Sequence, residues 1–267
     1  MIVRTFTLIL LTVFCTVNSY SQKESPYETD LWVDGAWTTL GVGGSVYGFT
    51  LLVNKKGLNE QELYDLNRDD IPSFDRWAAG NYSETINKGS DIPFYTSFAT
   101  PFLFLLNGDT RGHAGQLSIM LVESMATTGA LFTITAGLVN RPRPLVYAEK
   151  APLSERLSKD SQRSFYSGHA AASATATFFA AKVFSDFFPD SKAKPFVWAG
   201  AAIIPAAVGY LRIRAGKHYL SDVILGYVIG ALTGVLVPEL HKKKNKNLKI
   251  MTSIGFGEQN LHISYRF

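Results

Sequence analysis

The chain has 267 residues, 46% of them hydrophobic and only 18% charged, with a net charge of +4. A soluble globular domain carries roughly 25% charged residues, so the composition points toward a membrane protein or an unusually apolar helical one. The basic residues are scattered except near the C-terminus, which argues against a nucleic-acid footprint, and the one cysteine, Cys15, excludes an internal disulfide framework and a cysteine metal cluster.

Residues 1–21 read as a signal segment. Arg4 gives a positive start, Phe6–Val17 is apolar, and Ser19 and Ser21 have the spacing a signal peptidase prefers, so cleavage is expected before Gln22. Phe14 sits where a lipidation site at Cys15 would need a small residue. Residues 22–90 form an N-terminal extracytoplasmic or interfacial segment. Within it, Leu31–Val53 is apolar but holds Gly35, Gly41, Gly43, Gly44 and Gly48, and three readings stay open: a spanning helix, a helix lying on the membrane, or packed loop. Residues 54–90 are polar, with turns marked by Asp69-Asp70 and Pro72.

Five apolar runs follow: Ile92–Leu106, Leu117–Val139, Ala170–Phe188, Phe196–Leu211 and Tyr219–Val237. Several approach the roughly 20 residues needed to cross a bilayer. The third is rich in Ala, Ser and Thr, which let helices approach closely in lipid. Lys242, Lys243, Lys244, Lys246 and Lys249 then fit a cytoplasmic flank. Ile250–Phe267 alternates loosely around Gly255 and Gly257, as a short hairpin does. The expected fold is an all-α helical bundle embedded in the membrane, with its core at 91–240 and a basic tail with a short β-hairpin at 241–267.

Three polar clusters sit at the ends of these runs. In Asn140-Arg141-Pro142-Arg143-Pro144 the prolines favour an extended backbone, which can present the Arg143 guanidinium to a phosphate; a positive flank stopping a membrane helix is the plainer alternative. Tyr166-Ser167-Gly168-His169 opens the alanine-rich run. A helix start offers free N–H groups to an anion, Gly168 lets a ligand approach the backbone, and Ser167 either caps the helix or donates to a phosphate oxygen. The third cluster is Arg212, His218 and Asp222. His218 and Asp222 are four apart and on a helix would share a face and hydrogen-bond, leaving the other ring nitrogen free to attack. Asp222 lies inside an apolar run, where an ionisable group is a functional candidate by default.

Together the clusters resemble the signature of the type 2 phosphatidic acid phosphatase (PAP2) family, related to bacterial acid phosphatases and vanadium haloperoxidases. The family pattern is Lys-x6-Arg-Pro, then Pro-Ser-Gly-His, then Ser-Arg-x5-His-x3-Asp. Arg143-Pro144, Ser167-Gly168-His169, and Arg212, His218 and Asp222 fall at the matching positions, with Tyr166 for the usual proline, Leu211 for the usual serine and Ala136 for the usual lysine. The resemblance implies a metal-independent phosphatase with no cofactor. His218 would be the nucleophile, Asp222 its orienting partner and His169 the acid and base. Arg143, Arg212, Ser167 and Gly168 would hold the phosphate, and Arg141 or Lys217 would compensate for Ala136. The expected substrate is a lipid phosphate or pyrophosphate. The family alternatives are a vanadium-type haloperoxidase and a non-catalytic phospholipid-binding envelope protein, the latter because of Ala136.

Charge gives an expected orientation in a bacterial cell envelope. With the leader removed and residues 22–90 outside, five crossings put both histidine motifs on the periplasmic side and the lysine-rich tail inside. A crossing by Leu31–Val53 would invert this.

Overall fold

The computed structural model describes residues 24–243 and the strand residues 248–255 and 258–265, so the signal segment lies outside the described residues. Six long helices make up the bundle: α1 (Leu31–Asn54), α2 (Glu84–Ala99), α3 (Ala114–Leu138), α4 (Gly168–Phe187), α5 (Lys194–Arg214) and α6 (Leu220–Leu240). The hairpin is present as antiparallel β1 (Leu248–Gly255) and β2 (Glu258–Tyr265), with Gly255 opposite Glu258 at the turn.

The helices alternate in direction. Along α1 and α3, Trp37 bonds Thr127 and Lys55 bonds Ala136, so these two run together. Along α4 and α6, Gly226 abuts Ser167 and Gly234 abuts Thr175, so these also run together. Thr128 meets Thr175 and Phe132 meets Gly168, which sets the first pair against the second. One end of the bundle therefore holds the end of α3 and the starts of α4 and α6, where all three motifs lie. The other end holds the start of α1 and the end of α6, where Tyr27 bridges Lys242.

Leu31–Val53 is thus resolved as a helix, α1, running the length of the bundle against α3. The bundle has six strokes where five runs were expected. The glycines that made this segment ambiguous form its packing face: a side chain at Gly48 would meet Thr133 at 2.2 Å. Ile92–Leu106 also resolves differently, with α2 starting at Glu84 and the run ending in a 3-10 turn at Thr100–Leu106.

α4 is the central helix, lined by Ala170, Ala171, Ala174, Ala176 and Ala181, all fully buried. Its hydroxyls are satisfied by neighbours: Thr175 Oγ1 donates to Gly230 O at 3.2 Å and Thr177 Oγ1 to Ala201 O at 2.9 Å. Satisfied hydroxyls and small contacts are what a helix packed inside a membrane bundle requires. The outer faces carry large exposed apolar side chains, among them Leu40, Ile92, Phe196, Ile203 and Leu240. Apolar surface on that scale belongs in lipid, not water. α1, α3, α5 and α6 are long and apolar enough to cross a membrane.

Candidate active site

Two long connections, 55–83 and 139–167, and one short one, 215–219, build the site. The extended Arg143 is followed by Pro144 at the first position of a 3-10 turn, as the fixed proline φ favours. Gly216 has φ +77, and a side chain there would meet Asn81 O at 1.9 Å. This glycine lets the α5–α6 turn close tightly against residues 78–82, with Leu145 N donating to Gly216 O at 3.0 Å. Ser167 is the N-cap of α4, its hydroxyl accepting from Ala170 N at 3.4 Å.

The structure gathers Arg143, Arg212, His169 and His218 in one place. The charges of Arg143 and Arg212 act on both imidazoles. Arg212 is buried, and among the described residues its guanidinium hydrogen-bonds neutral groups, Asn87 Oδ1 at 2.7 Å and Ser90 Oγ at 3.3 Å, with Asp91 and Asp160 acting at longer range. Arg143 is buried and pairs with Asp160. His169 lies against the Phe94 ring, centroids 4.2 Å apart, with Nε2 4.0 Å from Asp91.

His218 does not bond Asp222. It lies in the turn before α6, which begins only at Leu220, so the one-face rule for helical residues does not apply to the pair. Its Nδ1 lies 2.7 Å from the Ser164 carbonyl. A carbonyl only accepts, so Nδ1 carries the proton and Nε2 the lone pair. Burial, with Arg143 and Arg212 alongside, holds the imidazole well below its ordinary pKa, so it is neutral at pH 7. Asp222, third in α6, turns back to accept from Tyr219 N at 2.9 Å and from Ser164 Oγ at 2.6 Å, and pairs with Arg141. It therefore reaches His218 through Ser164, by fixing the segment whose carbonyl orients the ring.

The two compensating cations separate. Arg141 is committed to buried acids, bonding Asp222 and, at 2.7 Å, Asp75. Lys217 stays among the site charges, where burial and then Arg143 lower its pKa. It lines a cleft of about 320 Å³ with Asn87, Glu155, Ser158 and Asp160. A side chain at Gly168 would meet the Phe132 ring at 2.7 Å, so the missing side chain makes room for that ring and not for a ligand. The Gly168 N–H remains among the free donors of the helix start.

Four contributors escaped the sequence reading. Asp160 lies among Arg143, Lys217, Arg163 and Arg212; burial opposes its charge, but these cations outweigh that and hold it below the ordinary carboxyl pKa. Asp75, fully buried, accepts from Ser221 N at 3.0 Å and Ser221 Oγ at 2.6 Å. Ser164 orients His218. Lys55 donates to Ala136 O and Val139 O, both at 2.6 Å, placing a cation at the end of α3 beside the position where the family has its lysine. Burial, followed by repulsion from Arg163 and Arg143, lowers Lys55 to about 8.

No curated protein matches the chain. Among solved structures, it is similar to a transmembrane PAP2-type phosphatidylglycerolphosphate phosphatase from Bacillus subtilis, at 20% identity and a TM-score of 0.47, over 78% of this chain and 98% of that one. The family model described as the PAP2 superfamily matches residues 118–246, a span that includes Arg143, Ser167, Gly168, His169, Arg212, His218 and Asp222. The similarity to the PAP2 superfamily thus lies in residues 118–246.

Proposed function

We propose that the protein is a membrane phosphatase that hydrolyses a lipid phosphate through a phosphohistidine. The observation that carries this is a neutral, buried imidazole with a fixed tautomer, set beside a buried arginine whose direct partners are all neutral. Asp91 and Asp160 act on this charge only at longer range; a buried charge without a contacting counter-charge is costly, and a phosphate supplies an anion in direct contact.

In this reading His218 Nε2 attacks phosphorus and the bond to the leaving oxygen breaks. Burial, Arg212 and Arg143 lower the resting His169 pKa to about 3; the bound phosphate offsets the arginines and lets His169 take up a proton, which it gives to the leaving oxygen before taking one from the water that attacks the phosphohistidine. Phosphate leaves and His218 is regenerated. Arg143, Arg212, Ser167 and the Gly168 N–H hold the equatorial oxygens as charge develops. Asp222 is a positioning residue acting through Ser164, and Lys55 and Lys217 supply charge that Ala136 does not. A site at the ends of apolar helices suits a headgroup whose tails stay in the bilayer, which supports a lipid substrate. Lys242 and Lys243 at the opposite end support, by the positive-inside rule, a site facing the periplasm of a bacterial envelope, with the crossing by α1 placing residue 24 inside as well.

The test is a quench of detergent-solubilised protein turning over phosphatidate labelled in its phosphate. The expected result is acid-labile label on the chain, absent from His218→Ala along with phosphate release. Label retained in His218→Ala would move the nucleophile elsewhere. Tight lipid-phosphate binding without release would favour the non-catalytic reading.

A further inference from the structure

At the end of the bundle opposite the phosphate site, three helices each bring one ligand-type side chain to a common point. Asp34 comes from the first turn of α1, Glu123 from α3 and His241 from the cap of α6. Their side chains are 7%, 0% and 6% exposed. His241 Nε2 lies 3.2 Å from Asp34 Oδ1 and 3.1 Å from Glu123 Oε2, and the three ligand atoms lie within 4.8 Å of one another. Neither Glu123 oxygen accepts a hydrogen bond among the described residues.

We propose that Asp34, Glu123 and His241 form a structural site for a divalent cation of the zinc class, joining α1 to α3 and α6. Ligands about 2.0–2.2 Å from such an ion stand roughly 3–3.5 Å apart, which is the spacing of His241 to each carboxylate. The second shell is already built. His241 Nδ1 is 2.8 Å from the Val237 carbonyl, which can only accept, and this directs the Nε2 lone pair into the cluster. Asp34 Oδ2 accepts from Asp30 N at 2.8 Å, leaving Oδ1 toward the centre.

Charge decides between the ion and a proton. A second proton on His241 would leave two buried carboxylates sharing one positive charge, a net −1 inside an apolar bundle. A divalent ion with neutral His241 brings the cluster to zero and gives Glu123, which otherwise meets only His241 among the described residues, a full counter-charge.

The test uses full-length, detergent-solubilised protein, stripped with chelator and then titrated with Zn²⁺. Metal content is read by mass spectrometry and stability by thermal unfolding. The expected result is one equivalent of zinc per chain. At a hundredfold excess over Kd, Tm should rise by about 5–10 °C. Glu123→Gln and His241→Gln should each lose the bound equivalent, whereas His218→Ala, at the other end, should keep it. A stripped wild type that takes up no zinc and shows no Tm shift would overturn the proposal, and so would Glu123→Gln binding zinc as the wild type does.

Discussion

The two ends of the bundle invert each other. At one, Arg143, Arg212, Arg163 and Lys217 surround Asp160, a carboxylate that is 46% exposed. At the other, Asp34 and Glu123 surround one imidazole, His241. Each end buries more of one sign than the chain itself neutralises, and that surplus is what marks a place for something else. Arg141 shows the opposite condition beside the same site: it is matched to two buried acids, Asp75 and Asp222, and so holds structure.

The largest effect that would break this comparison is at the nucleophile. His218→Ala should lower kcat for phosphate release by about 10³-fold or more, with thermal unfolding little changed; activity near wild type would remove the imidazole from the chemistry. Next come the two arginines. Arg141→Met strands two buried carboxylates and should cost about 3–5 kcal/mol of stability. Arg212→Met strands no acid in direct contact, so its Tm should hold or rise while kcat/KM falls by about 10²–10³. Equal Tm losses in the two variants would erase the distinction between matched and surplus charge.

A smaller effect concerns pH. In the unfolded chain His218 titrates near 6.5, whereas in the folded protein it protonates only well below that. Below about pH 6.5 the unfolded state therefore binds the extra proton, and stability falls as pH falls. The contribution is fully lost only at the folded pKa. His218→Gln should flatten the slope of Tm against pH in this acidic window and leave it unchanged above pH 7. The smallest effect is at Asp160. Removing its charge should tighten inhibition by inorganic phosphate by about 2–5-fold, the screened worth of a half-exposed ion pair. Unchanged inhibition in Asp160→Asn would place that carboxylate outside the anion's reach.

The three motifs and the helical class were legible because each rests on local spacing. Arg143, Ser167, His169, Arg212 and His218 come together where helix ends meet, as their positions at the ends of apolar runs implied. What was not legible came from tertiary contact. Nothing near Asp75 or Lys55 in sequence announces Ser221 or the last turn of α3. The cluster of Asp34, Glu123 and His241 draws on residues up to 207 positions apart. The His218–Asp222 bond failed for a narrower reason: i,i+4 spacing pairs side chains only inside a helix, and α6 starts two residues after His218. The glycines of Leu31–Val53 misled in the other direction, since in a membrane bundle they serve close packing as readily as loop.

The bridge between Tyr27 and Lys242 ties leader processing to sidedness. Six strokes return the chain to its starting face, so residue 24 and Lys242 lie at one end of the bundle and the proposed phosphate site at the other. A peptidase that removed the leader outside the cell would leave the site facing the cytoplasm. A site facing the periplasm requires instead that residue 24 stay in the cytoplasm, beyond that peptidase's reach. For the proposed lipid phosphatase, the mass of the N-terminus would therefore report which leaflet supplies the substrate.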